Sequence, residues 1–306
     1  MLEIFYKTIR DNEFIKIDKP KSGAWIHINN ASIEDLDELK DITGIQKSDL
    51  IDTLDTFEIP RIEQKNHNIF IFSRHSSKET QGLFTTTLTI ILTNHYIITI
   101  SPSESKLVEH LLQKNINLTT TQRSKLLFHI LLSITFGFTQ DIKNIRSQVM
   151  TQIQSESKVT NDSIALLTKN EEVLNQYLSS LVPLHNVLEA ISSGRYVEVF
   201  KHDYDLLDDL LIAIRQSEDL CRVNVKSIQS LRDSYQILFT NDVNKTIKFL
   251  TAITIIFTIP TIIASIYGMN VSLPLEKSPH AFFIIMNITI LLSLLFLYIF
   301  VRKKWL

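Results

Sequence analysis

Hydrophobic and polar positions are distributed very unevenly along this chain. From Phe249 to Tyr267 nineteen residues carry no charge. That is about the length needed to cross the ~30 Å hydrocarbon core of a bilayer at ~1.5 Å per helical residue. A second uncharged run of 21 residues, Ala281–Val301, follows a short connector. The pattern predicts two membrane-spanning helices, 249–267 and 281–301. The first is not uniformly apolar: its Ser and Thr residues fall at 251, 254, 258, 261 and 265, spaced three, four, three and four. Five hydroxyls on one helical face suit a surface shared with a partner helix or a watery path. The competing use is local, with hydroxyls bonding back to carbonyls one turn earlier or letting two helices pack closely.

Upstream, residues 195–259 contain neither Gly nor Pro. Together with the run through a Pro260 kink to Tyr267, they predict a single helix on the order of 100 Å long. Positions 207, 210, 214, 217, 221, 224, 228, 231, 235 and 238 make a heptad seam of mainly apolar residues. Such a seam packs along its length against something. An ordinary buried bundle helix would satisfy it; the uninterrupted passage into an apolar span favours a stalk, residues 194–248. Asp203, Asp205, Asp208 and Asp209 cluster near its start, and on sequence alone they read as either a solvated face or a site.

Residues 1–193 predict an α/β layer followed by a helical layer. Short strands fill residues 1–30, with Ala24–Ile28 alternating before a turn at Asn29-Asn30. Ser32 and Asp35 form a capping box that opens a helix through Lys40. Strands are expected at Asn68–Ser73, Leu83–Thr93 and Tyr96–Ile100, with Asn94-His95 as a hairpin turn. Leu126–Phe138 is apolar but too short to span, so it belongs to a helical core. Thr160–Ser192 reads as a helix bent or broken at Pro183. The predicted fold is therefore an α+β cytoplasmic domain whose long stalk helix runs into a two-helix C-terminal transmembrane region.

Composition narrows the function. A net charge of −2 over 306 residues offers no basic bias towards nucleic acid, and six glycines suit a largely helical chain. The single Cys221 excludes an internal disulfide and fits a reducing compartment. The charged N-terminus suggests no signal peptide. Lys245 and Lys248 precede the first span, and Arg302, Lys303 and Lys304 form a basic tail, 302–306, after the second. By the positive-inside rule both termini are cytoplasmic, the connector 268–280 is outside, and the chain is a multi-pass cell-membrane protein. No phosphate loop, nucleophile–base set or His/Cys metal spacing is visible, so an enzyme is not expected.

Tyr-Gly-Met-Asn, residues 267–270, closes the first span, and the chain finishes in Arg-Lys-Lys-Trp-Leu, 302–306. With Ile259–Val271 (IPTIIASIYGMNV), this arrangement resembles the CorA family of magnesium channels; Asp49–Glu63 resembles the soluble-domain stretch of that family. The resemblance implies a homopentamer with a cytoplasmic funnel, the first span lining the pore, and Mg2+ as both transported and regulatory ion. Gly268, Met269 and Asn270 correspond to the selectivity motif. Asn244, Leu250 and Thr261 fall on pore positions by gapless spacing, and Ile247 and Thr258 where relatives often carry methionine. Thr251, Thr254 and Ser265 join them from the hydroxyl stripe. Leu250 and Ile247 are expected to form a hydrophobic constriction, with Asn244 as a polar ring below. A backbone geometry at Gly268 that a side chain would obstruct is also expected. Asp209 matches the stalk aspartate that helps hold a regulatory ion between subunits, with Asp208 as the alternative.

One departure stands out. Relatives commonly carry acidic residues soon after the motif, whereas this chain has Val271–Lys277 with Glu276 beside Lys277. The leading expectation is gated uptake of hydrated Mg2+, with Co2+ and Ni2+ as further substrates. The alternatives are a zinc transporter of the same superfamily and, from another class, a non-conducting membrane-anchored coiled-coil scaffold or sensor.

Overall fold

Strands appear where β-branched and aromatic residues concentrate. In the computed structural model every residue is described except 1, 81, 115–117, 156–158, 276–277 and 306, and the side chains of 79, 80, 114, 155 and 202. Among the described residues the strands are β1 (Leu2–Tyr6), β2 (Ile15–Lys16), β3 (Trp25–Asn29), β4 (Arg61–Lys65), β5 (Asn68–Thr80), β6 (Leu83–Leu92) and β7 (Ile97–Ser101). They form one mixed sheet in the order β2-β1-β3-β7-β6-β5-β4. β3 runs parallel to β7 and the other neighbours are antiparallel. The Asn94-His95 turn is held by Thr93, whose Oγ1 accepts the N–H groups of His95 and Tyr96 at 3.2 and 2.8 Å.

Along the strands both alternating sets are buried: Ile26, Phe70, Phe72 and Ile98, and equally Trp25, Ile71, Ile90 and Ile97. The sheet is therefore covered on both faces. The first set packs with Leu36 and Leu39 of α1 (Ile33–Thr43) and Leu50 of α2 (Lys47–Leu50). The α1 capping box is present, Asp35 N–H donating to Ser32 Oγ at 3.3 Å and Ser32 N–H to Asp35 Oδ2 at 2.9 Å. The helix runs on to Thr43, where Gly44 ends it in the left-handed region at φ 73°. The Asp49–Glu63 stretch has a structural task. Arg61 donates to Asp52 at 3.1 Å and to Glu58, and lies 4.0 Å from the Phe72 ring centroid, pinning the edge strand β4.

After α3 (Leu107–Lys114) come α4 (Arg123–Ser155) and α5 (Asn161–Ser192). Leu126–Phe138 lies within α4, and Leu127, Phe128, Leu131, Ile134 and Phe138 are fully buried. Of the two expectations for Pro183, a break is absent: α5 continues through it as one helix. Proline inside a helix costs about 3 kcal/mol. Here Leu181, Leu184 and Leu188 are fully buried around it, each contributing about 1.5–3 kcal/mol, which offsets the loss. The long helix also starts later than 195. Gly194, at φ 73°, ends α5, residues 195–200 are irregular, and a 3-10 turn at Lys201–Asp203 leads into α6 (Tyr204–Tyr267), a single helix of 64 residues.

Contacts divide the chain into two units, residues 1–157 with 165–231, and residues 158–164 with 232–306. In the first unit the heptad seam is buried from Leu207 through Ile228. Its polar members are satisfied: Cys221 Sγ donates to the Leu174 carbonyl at 3.2 Å, and Asn224 Nδ2 to the Leu220 carbonyl at 2.7 Å. Burial pushes the Cys221 thiol up to about 12. Gln229 Nε2 donates to Glu171 Oε1 at 2.9 Å, and His185 Nδ1 lies 3.1 Å from Glu218, so α5 grips α6 over several turns.

The second unit holds the distal half of α6 and α7 (Ala281–Arg302). In the most apolar 18 residues of each helix only 6% and 11% of positions are buried. Phe257, Ile262, Leu291 and Leu294 are all more than half exposed. Helices this apolar and this uncovered are suited to lipid rather than water. At the end of α7 Trp305 stacks on Phe300 at 5.5 Å and 17°.

Candidate ion pathway

The distal half of α6 has two unlike sides. Ala252 is buried and Ile255, Ile256, Ile259 and Ile263 are half-buried. At 100° per residue these five gather on one side of the helix. Thr254, Thr258, Thr261 and Ser265 fall on the opposite, exposed side, with Thr251 at its flank. Ile247 and Leu250 share that side at 54% and 56% exposure, and Asn244 is exposed at its margin.

Four of the stripe hydroxyls have a defined direction. Thr251 donates to the Ile247 carbonyl at 2.8 Å, Thr254 to Leu250 at 2.8 Å, Thr258 to Thr254 at 2.7 Å and Thr261 to Phe257 at 3.0 Å. The local back-bonding considered for the sequence is therefore present. It also has a consequence. A hydroxyl has one hydrogen and two lone pairs. Once the hydrogen is committed to the backbone, the oxygen faces outward as an acceptor. The stripe is thus a row of acceptors, suited to the O–H groups of water around a cation and ill suited to anions.

Beyond Tyr267 the helix unwinds through the motif. Gly268 N–H donates to the Ala264 carbonyl at 2.9 Å, and Met269 N–H to Ile266 at 3.2 Å. Gly268 does not adopt a left-handed φ, and within one chain a Cβ there would meet the Ala264 carbonyl at an ordinary 3.4 Å. Among the described residues of one chain nothing requires glycine at this position. Met269 is 55% exposed and Asn270 is exposed, with no hydrogen bond on its side chain among the described residues. Glu276 and Lys277, which carry the acid-poor character of the connector, and Leu306 lie outside the described residues.

Asp208 and Asp209 are exposed in the first turns of α6, and Asp203 just before it is buried. Because α6 begins at Tyr204, Asp205 sits in its first turn, where the macrodipole by itself favours an acid, and Asp208 and Asp209 lie one turn further along. On α4, burial and Lys125 pull the His129 imidazole pKa down, against the pull of Asp203. Among the described residues no group of three or more His, Cys, Asp and Glu converges on a point that could hold a metal.

The family of CorA-like Mg2+ transporter proteins matches residues 20–303. The chain belongs to the CorA family. It is 29% identical over 301 residues to the cobalt/magnesium transport protein CorA of Methanocaldococcus jannaschii, covering 92% of this chain and 90% of that protein. Over 111 residues it is 30% identical to the magnesium transport protein CorA of Campylobacter jejuni, about a third of each chain (35% and 34%). In three dimensions it resembles the complete CorA structure from M. jannaschii, at TM-score 0.80 and 25% identity over 100% of this chain and 99% of the other. The cytoplasmic domain of ZntB from Vibrio parahaemolyticus shares the fold of 76% of the chain, at TM-score 0.62 and 10% identity.

Membership of CorA fits the mixed sheet, the long α6 and the second apolar helix; the sequence pattern anticipates an α/β layer and both long apolar helices, but not the order or direction of the strands. Two polar groups on α7 drew no reading from the sequence. Asn287 Nδ2 donates to the Phe283 carbonyl at 2.9 Å on an exposed face, and the buried Thr289 donates to Ile285 at 2.8 Å. A lone amide in a 21-residue uncharged run was the available signal.

Proposed function

We propose that this CorA-family chain assembles as a homo-oligomer, of five copies by the family resemblance, and admits hydrated Mg2+ through a pore lined by the exposed side of α6. Co2+ and Ni2+ are further substrates of the same pathway. The carrying observation is the row of back-bonded hydroxyls on the side of α6 opposite its shielded face. Magnesium sheds its octahedral water shell reluctantly. Outward acceptors without carboxylates hold the hydrated ion through its waters, weakly enough to release it. Asn270 and the Gly268 carbonyl, repeated around the axis, supply the outer ring. The demand for glycine, absent within one chain, then comes from neighbouring copies and the passing ion. Leu250 and Ile247 form a constriction that closes by dewetting, and Asn244 a polar ring below it. The α6 seam supports assembly, since beyond Leu231 its apolar positions continue with Leu238 half exposed.

Regulation belongs to the same proposal. One exposed carboxylate per chain cannot complete an ion site alone, so Asp209, with Asp208 as alternative, contributes half of a site that a second copy completes. Cytoplasmic Mg2+ bound there stabilises the closed form by RT ln(1 + [Mg]/Kd), about 1.4 kcal/mol at ten times Kd. The test of the pathway is Mg2+ flux into proteoliposomes, with Zn2+ and a proton gradient as controls. Asn270→Ala should abolish uptake while assembly persists. Uptake within twofold of the unaltered chain removes Asn270 from the selectivity site, and Zn2+ flux exceeding Mg2+ flux overturns the assignment of substrate.

A further inference from the structure

The first unit contains a cavity of about 870 Å³ that the ion pathway does not use. Its size lies within the range of small-molecule sites, roughly 300–1,000 Å³. It opens beyond the carboxyl ends of the parallel pair β3 and β7, where Asn30 and Ser103–Leu107 contribute to its wall. That is the usual location for ligands in sheets with parallel strands. The β7–α3 loop at its rim is fixed by Asn29, which accepts from Ser105 N–H at 2.9 Å and donates to the Ser105 carbonyl at 3.1 Å.

Two buried groups in the lining have unmet hydrogen-bonding capacity. His75 on β5 and Thr86 on β6 are directly opposite each other in the ladder, 6% and 5% exposed. Both line the cavity, yet among the described residues His75 Nε2 and Thr86 Oγ1 have no partner. The tautomer follows from geometry. His75 Nδ1 lies 2.8 Å from the Ser76 carbonyl, which can only accept, so Nδ1 carries the hydrogen and Nε2 presents a lone pair. Burial pushes this imidazole down to about 4, so it is neutral at physiological pH. A buried unsatisfied group costs about 1–3 kcal/mol, so two neighbouring ones are a feature to be explained.

The remaining lining narrows the occupant. Lys78 and Lys106 bring positive charge, and Glu104 and Asp141 negative. Lys106 stands at the N-terminal end of α3, which adds to the positive pole. A free phosphate is opposed by the two carboxylates, and a neutral polyol offers no charge of its own to Lys106 or Asp141. We propose that this cavity binds a small zwitterion of the amino-acid class, its ammonium donating to His75 Nε2 and Thr86 Oγ1 on the Asp141 side, its carboxylate directed to Lys106 and the α3 terminus. The proposal is independent of ion conduction.

Calorimetric titration of the full chain in detergent tests it, with L-glutamine as the zwitterionic probe and inorganic phosphate and glycerol as comparison probes. L-Glutamine should give saturable binding, the other two none. Thr86→Val, which keeps size and strand preference, should weaken binding at least tenfold without moving the melting temperature of the apo protein. His75→Phe should abolish binding by filling the floor. Saturable phosphate or glycerol binding without L-glutamine binding overturns the assigned class. No binding of any probe leaves ordered water as the occupant and overturns the site, as does unchanged L-glutamine affinity in Thr86→Val.

Discussion

Removing the hydroxyls of Thr258 and Thr261 by changing both to valine separates their two uses. Each hydroxyl donates to a carbonyl of its own helix, at 2.7 and 3.0 Å. If that were their only task, the loss would be small, since hydrogen bonds of side chains within membranes average about 0.6 kcal/mol. Thr and Val differ little in helix propensity, so folding and assembly should survive. If the oxygens also accept from the water shell of the ion, each forfeits about 1 kcal/mol per copy. Two per copy make about 2 kcal/mol, and at ~1.4 kcal/mol per decade this is roughly thirtyfold in flux from one copy alone. Stopped-flow Mg2+ uptake with an entrapped dye should therefore fall at least tenfold. The control is Thr289→Val on α7, where the hydroxyl makes the same bond, to Ile285 at 2.8 Å, but is buried; uptake there should be unchanged. Flux within twofold of wild type in the double variant, or an equal drop in Thr289→Val, means the row serves only its helix.

Leu250→Asn should hydrate the constriction and raise basal conductance in planar bilayers; an unchanged closed-state leak would place Leu250 against lipid or α7. Asp209→Asn should reduce the protection of α6 from trypsin by Mg2+ and weaken inhibition of uptake by millimolar internal Mg2+. Persistence of both in Asp209→Asn and in Asp208→Asn would leave those acids as a solvated face only. Acid should destabilise the first unit early. Burial holds His27 and His75 at about 4 in the folded chain, below the usual 6.5. For a histidine shifted in this direction the stabilisation is present above 6.5 and lost as pH falls towards 4. Melting temperatures should decline across that window, and less steeply in His75→Phe; a flat profile would contradict the burial of both rings.

The sequence was most informative where one chain supplies both sides of a contact. The seam from Leu207 to Ile228 could be read as buried because this first part of α6 shares a unit with most of α5. The same period continues to Leu238, half exposed here, and nothing local distinguishes the two stretches. At Pro183 the sequence left a bend or a break open, and the buried leucines around it decide for a continuous helix. The start of α6 misled because 195–203 lacks Gly and Pro yet follows Gly194, whose left-handed turn had already redirected the backbone. The His75–Thr86 pair was invisible for another reason. The two residues are eleven apart and become neighbours only through the register of β5 on β6.

The absence of any break in α6 between Tyr204 and Tyr267 has a further consequence, for how the chain tolerates changes in length. Residues 241–250 are exposed throughout, which ordinarily marks a stretch where insertions and deletions are harmless. Within a continuous helix they are not. One residue gained or lost turns everything after it by about 100°, which under the proposed assembly sends the hydroxyl row away from the pore. Seven residues bring it back to within about 20°. The segment least constrained in composition is therefore strictly constrained in length, and CorA relatives whose stalks differ should differ in phase-preserving steps.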